Sequence, residues 1–140
     1  MNRQQKPSKA LNITLWILQF LLAAMFLMAG FMKISQPIEE LSKSLPWAAQ
    51  VPEGLVRFIG ASELLGAIGL ILPALLRIKP ILTPIAALGI AVVMLFAIFF
   101  HGSRGETSVI GMNIILLLIA VFIAWGRFKK APIAPKGSFA

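Results

Sequence analysis

Four apolar runs, each about as long as a bilayer core is thick, leave this chain little choice of architecture. They extend over Leu11–Ile34, Leu55–Leu76, Pro80–Phe100 and Val109–Trp125, and a spanning helix needs about 20 such residues. Interruptions are few. The first run holds Asn12, Thr14, Gln19 and Lys33, the second Arg57, Ser62 and Glu63, the third no charge, and the fourth Asn113 as its one strongly polar residue. Leu, Ile, Ala and Met dominate without strand-like alternation, so the runs read as helices and not as a closed barrel. The expectation is an all-α membrane protein, a four-transmembrane-helix bundle over residues 11–130. A basic tail (1–10) precedes it and a short tail (131–140) follows.

Composition agrees with lipid as the main solvent. The chain is 59% hydrophobic and 13% charged, with a mean hydropathy of +0.90, and a water-soluble domain of this size needs more polar surface. The first run follows Arg3, Lys6 and Lys9 as a signal peptide would. It is too long for a typical signal core and lacks a small-x-small site, so it reads as a retained anchor. With no cysteine, thiol redox chemistry, iron–sulfur clusters and covalently held haem are excluded. One histidine, His101, gives no metal or haem ligand set within a single chain; a symmetric dimer would supply a second.

The net charge of +8 suggests nucleic acid at first sight, but these cations flank membrane spans, where they set orientation and meet anionic lipid. Arg3, Lys6, Lys9, Arg77, Lys79, Arg127, Lys129, Lys130 and Lys136 fall on one side. Lys33, Lys43, Arg57 and Arg104 fall on the other. The positive-inside rule then puts both termini in the cytoplasm, N-in/C-in. Small size and this topology point to a bacterial inner membrane. Residues 35–54, with Pro46, Trp47 and Pro52, are long enough for a surface helix or a re-entrant stretch on the outer side, where Trp47 suits the lipid interface. The short 77–80 connection makes its flanking spans antiparallel neighbours.

Polar residues gather at one level of this drawing. Gln19, Ala23, Phe26, Gly30 and Lys33 share one helical face; Gly60, Glu63, Ala67, Leu70 and Ala74 share another; Ala87, Ala91, Met94, Ile98 and His101 a third. Small residues let membrane helices approach closely, so these faces point inward. Met25, Met28 and Met32 read as packing. Glu63 stands out, roughly 12 Å below the outer surface at 1.5 Å rise per residue. A carboxyl group there must pair with a cation or stay protonated. Lys33, His101 and Arg104 are the candidate partners, whereas Arg57 is one turn from Glu53 and pairs locally. Three readings of Glu63 stand side by side: an ion pair that binds helices together, a ligand, quinone or proton site, or a contact with a partner protein. The candidate polar cluster is Glu63, Lys33, His101 and Asn113. Gln19 and Asn113 also suit interhelical hydrogen bonds.

Gly30-Phe31-Met32-Lys33-Ile34 and Gly60-Ala61-Ser62-Glu63-Leu64-Leu65-Gly66-Ala67-Ile68-Gly69-Leu70, closed by Leu72-Pro73, resemble the DoxX-like family of small four-span membrane proteins. The resemblance covers most of the chain and implies association with membrane redox complexes, with quinone as the cofactor in reach and Lys33 and Glu63 within any family site. Proteins of similar four-span pattern also act as assembly chaperones. Three functions remain in view: an accessory subunit of a quinone-linked oxidoreductase, a non-catalytic assembly protein, and a small-molecule carrier. A free-standing enzyme is not expected from so few reactive groups. Expected partners are the lipid bilayer and either other membrane proteins or a second copy of the chain.

Overall fold

A computed structural model describes residues 6–137; Arg3 and the final residues 138–140 of the expected tails lie outside the described residues. Among the described residues the chain is helical, without strands. Helix α1 runs Lys9–Ser35, α2 Ile38–Ser44, α3 Glu53–Leu76, α4 Leu82–Ser103 and α5 Thr107–Trp125. A 3₁₀ turn, Pro46–Ala49, lies between α2 and α3, and a π-helical turn, Gly126–Lys130, extends α5. The four long helices are each apolar enough to cross a membrane.

Their ends follow from identifiable chemistry. The Ser8 hydroxyl accepts from Leu11 N at 3.3 Å and caps the start of α1. At its other end, Arg57 Nη1 donates to the Lys33 and Gln36 carbonyls at 2.8 and 2.7 Å, satisfying acceptors that the last turn leaves open. Arg57 Nη2 meets Glu53 at 2.9 Å, the local pair expected from their spacing. Helix α3 stops at Arg77, which adopts a left-handed conformation (φ 56°). The third span starts at Leu82 and not at Pro80, because residues 77–81 form the turn.

Pro73 lies inside α3. Proline has no N–H for the carbonyl four residues back, here Gly69. The Thr83 hydroxyl of α4 donates to that carbonyl at 3.0 Å, and Gln19 Nε2 of α1 donates to the neighbouring Leu70 carbonyl at 2.7 Å. Side chains from two other helices thus serve the backbone around the proline, as lipid demands.

Helix α3 packs against both α1 and α4, and α4 against α5; the contact between α1 and α5 is narrower. Leu15, Leu22, Phe26, Leu70, Ile90 and Ile123 fill the core. The faces expected to point inward do so, with Ile98 only half-buried. The outward faces carry Leu65 at 71% exposure, Phe96 at 72% and Phe99 at 73%, a surface suited to lipid and not to water. Met28 belongs to that surface at 69% exposure, contrary to its reading as a packing residue. This is an integral, multi-pass membrane protein, with the start of α1 and the end of α5 at one end.

The segment between α1 and α3 forms a short surface element around a small core of its own, Leu41, Ala48 and Val56. At the opposite end, part of the expected solvated tail is tied down. Arg77 Nε donates to the Ala134 carbonyl at 2.8 Å, and Lys136 N donates to the Arg77 carbonyl at 2.8 Å.

A polar cluster on the wall of an apolar cavity

Helices α1 and α3 cross at two glycines. A Cβ on Gly30 would lie 2.7 Å from the Gly60 carbonyl oxygen, and one on Gly60 would lie 2.7 Å from Lys33 Cβ. Only glycine permits that approach. Lys33 and Glu63 each follow their glycine by three residues, on the same helical face. The close crossing therefore delivers the two side chains to each other. Lys33 Nζ lies 3.0 Å from Glu63 Oε1 and 2.9 Å from Oε2, and both residues are buried. Of the three partners expected for Glu63, Lys33 is the one it meets.

His101 and Arg104 turn to Glu106 instead. His101 Nδ1 is 2.7 Å from Glu106 Oε2, and Arg104 Nε donates to Oε1. The hydrogen bonds from Arg104 first, and from His101 second, hold the Glu106 carboxyl below its usual range. Trp47, from the 3₁₀ turn, sets its ring edge-on to Phe100 and His101, with centroids 6.2 and 6.5 Å away. Half-buried, it covers the end of the bundle.

Beneath Trp47 lies a cavity of about 550 Å³ between α1, α3, α4 and α5, within the range of ~300–1,000 Å³ common for small-molecule sites. Lys33, Glu63, His101 and Asn113 all line it, so the four candidate residues share one space. The rest of the wall is mainly apolar. Phe58 and Phe96 line it too and are 69% and 72% exposed, so the cavity reaches the lipid-facing surface. Asn113 is 8% exposed, and its amide nitrogen has no hydrogen-bond partner. A buried, unmatched donor costs about 1–3 kcal/mol.

Gln19 takes the other role open to it. Besides bonding the Leu70 carbonyl, its Oε1 accepts from Arg127 Nε at 2.6 Å. Arg127 Nη1 donates to Asn12 Oδ1 at 2.7 Å and to the Ala131 carbonyl at 2.9 Å. The guanidinium carbon lies 5.3 Å from the centre of the Trp16 ring, a cation–π contact. Sequence reasoning grouped Arg127 with the tail cations, yet it is 3% exposed. The signal was present in Asn12, Trp16 and Gln19, polar or amphipathic groups on α1 at the level where Arg127 leaves α5.

The bundle is thus a small multi-pass membrane protein that holds an ion pair on the wall of a mainly apolar cavity. The chain belongs to the DoxX-like family, whose profile matches residues 17–123. No curated protein and no solved structure matches it.

Proposed function

We propose that this protein is an accessory subunit of a membrane oxidoreductase and that its cavity receives the quinone with which such an enzyme exchanges electrons. The buried Lys33–Glu63 pair carries the reading, because it stands on the wall of an apolar cavity that reaches the lipid. An intramembrane ionisable pair is costly and points by default to function. The wall residues suit a quinone: Trp47 and Phe100 supply aromatic surface, and Asn113 adds a polar residue to the lining. A bound quinone takes up and releases electrons together with protons. Lys33 and Glu63 are the groups placed to hold a proton beside it, and the apolar wall excludes water.

Lys6, Lys9, Arg77, Lys79, Lys129, Lys130 and Lys136 crowd the end where α1 starts and α5 stops, which supports a cytoplasmic location for that end. The cavity then opens in the outer half of a cell membrane, in bacteria the inner membrane.

Mass spectrometry of what accompanies the tagged protein from native membranes in mild detergent tests the assignment. A stoichiometric dehydrogenase or oxidase subunit is expected. A substoichiometric assortment of unrelated membrane proteins would replace the reading with that of an assembly protein. Recovery of the chain alone would favour a small-molecule carrier.

A further inference from the structure

His101 lines the cavity from the last turn of α4 and is more than nine-tenths buried. Its Nδ1 is taken by Glu106, 2.7 Å away. Its Nε2 has no hydrogen-bond partner among the described residues and, unlike the Asn113 amide nitrogen, is not an enclosed atom. The polar atom that the ring offers a guest in the cavity is therefore Nε2. Glu106 decides how that atom bonds. Its carboxylate already takes a hydrogen bond from Arg104 and can only accept. It draws the imidazole proton to Nδ1, and in the neutral ring Nε2 is left with a lone pair. Trp47 and Phe100, both edge-on to the ring, hold its plane. Lys33 and Glu63 satisfy one another, and a mainly apolar wall penalises a charged guest. Entry past the exposed Phe58 and Phe96 selects a guest that partitions into lipid.

We infer that the cavity takes a neutral lipophilic phenol or hydroquinone whose hydroxyl group donates to His101 Nε2, with Glu106 as the positioning residue that fixes the ring. The inference rests on the quinone reading for the name of its ligand, but not for the chemistry of the contact. It deepens that reading by assigning the contact that favours the reduced, hydroxyl-bearing form over the quinone, which has no hydroxyl to give. The hydroxyl end of the guest lies toward His101 and its apolar tail toward the Phe58–Phe96 opening.

The test compares three probes on the full chain in lipid nanodiscs. They are an alkylphenol, its methyl ether, and a short-tailed benzoquinol kept reduced. Affinity is read from the ligand-dependent rise in melting temperature, and comparison of variants in the same nanodiscs cancels each probe's partitioning into lipid. The variants are His101→Phe, which keeps a ring against Trp47 and Phe100, and His101→Leu as a second replacement; neither offers an acceptor. Both should lower the preference for phenol over ether about five-fold, the loss of one neutral hydrogen bond, and bind the ether no more weakly than wild type does. Glu106→Gln, whose amide can donate to Nδ1 as well as accept from it, should lose part of the preference; an undiminished preference would overturn the positioning role. An unchanged preference in both His101 variants would overturn the contact, while binding of the benzoquinol would leave the quinone reading standing. Failure of wild type to bind the benzoquinol, with His101-dependent binding of the phenol, would overturn the quinone reading and support the contact. Binding of neither hydroxyl compound would overturn both.

Discussion

Lys33 reaches both carboxylate oxygens of Glu63 across a helix crossing that two glycines make possible. The pair is a product of register: a glycine and a charged residue three positions apart on α1, and the same spacing on α3. Either charge alone would be hard to keep in the bundle. Together they are tolerable, and they place polarity where the cavity meets the interior.

Removing one member should therefore harm more than removing both. Glu63→Ala leaves the Lys33 ammonium buried without its partner, and the expected loss is on the order of 3–5 kcal/mol. Lys33→Met combined with Glu63→Leu should recover most of that stability. Thermal unfolding in nanodiscs measures both, and an equal loss in the single and double variants would contradict the account.

Gly60→Val tests the crossing itself. The new Cβ would meet Lys33 Cβ and the Gly30 carbonyl, which forces α1 and α3 apart at a cost of about 1–3 kcal/mol. Hydrogen exchange should rise in the adjoining turns of both helices. Unchanged exchange and stability would show that the helices are not pressed together there.

The Thr83–Gly69 bond predicts a coupling with Pro73. Thr83→Val strands the Gly69 carbonyl and should cost about 1 kcal/mol. In a Pro73→Ala background, the restored N–H can serve that carbonyl, so the same substitution should cost less. A double-mutant cycle measures the difference; strict additivity would break the link between the two residues.

Much of this arrangement was legible in the chain. Lipid as solvent forces helices, so four apolar runs dictate four spans, and the three polar faces could be placed by helical period alone. Glu63 stands out in the sequence because a carboxyl group at that depth needs an explanation, but Lys33, His101 and Arg104 are all candidate cations for it, and only the helix crossing selects Lys33. The rest depended on three-dimensional details that periodicity does not carry. Arg104 and Glu106 are two residues apart, and only the conformation of their loop turns them and His101 into one cluster. Arg127 reads as a tail cation; Asn12, Trp16 and Gln19 offer it partners on α1, but it is the π-helical turn that brings it onto them. Asn113 was read as an interhelical hydrogen bonder or a site residue; its missing partner becomes visible only when every neighbour is placed.

The Glu106 cluster carries a pH dependence. Its carboxyl is held below the ordinary value of 4.5 by Arg104 and then His101. A group lowered in the folded state contributes stability that is present above its unfolded value and lost as pH falls through the folded one. Melting temperature should thus fall below pH 4.5 more steeply in wild type than in Glu106→Gln. Parallel curves would show that the cluster does not contribute.

The most direct test of the central claim is quinone-linked oxidoreductase activity in native membranes carrying Glu63→Gln at wild-type abundance. Glutamine preserves size and hydrogen-bonding capacity but removes the charge that faces Lys33. The account predicts a clear loss, on the order of ten-fold or more, as for other positioned proton-handling groups. Undiminished activity at normal abundance would contradict it and leave the buried pair as a structural bond between two helices.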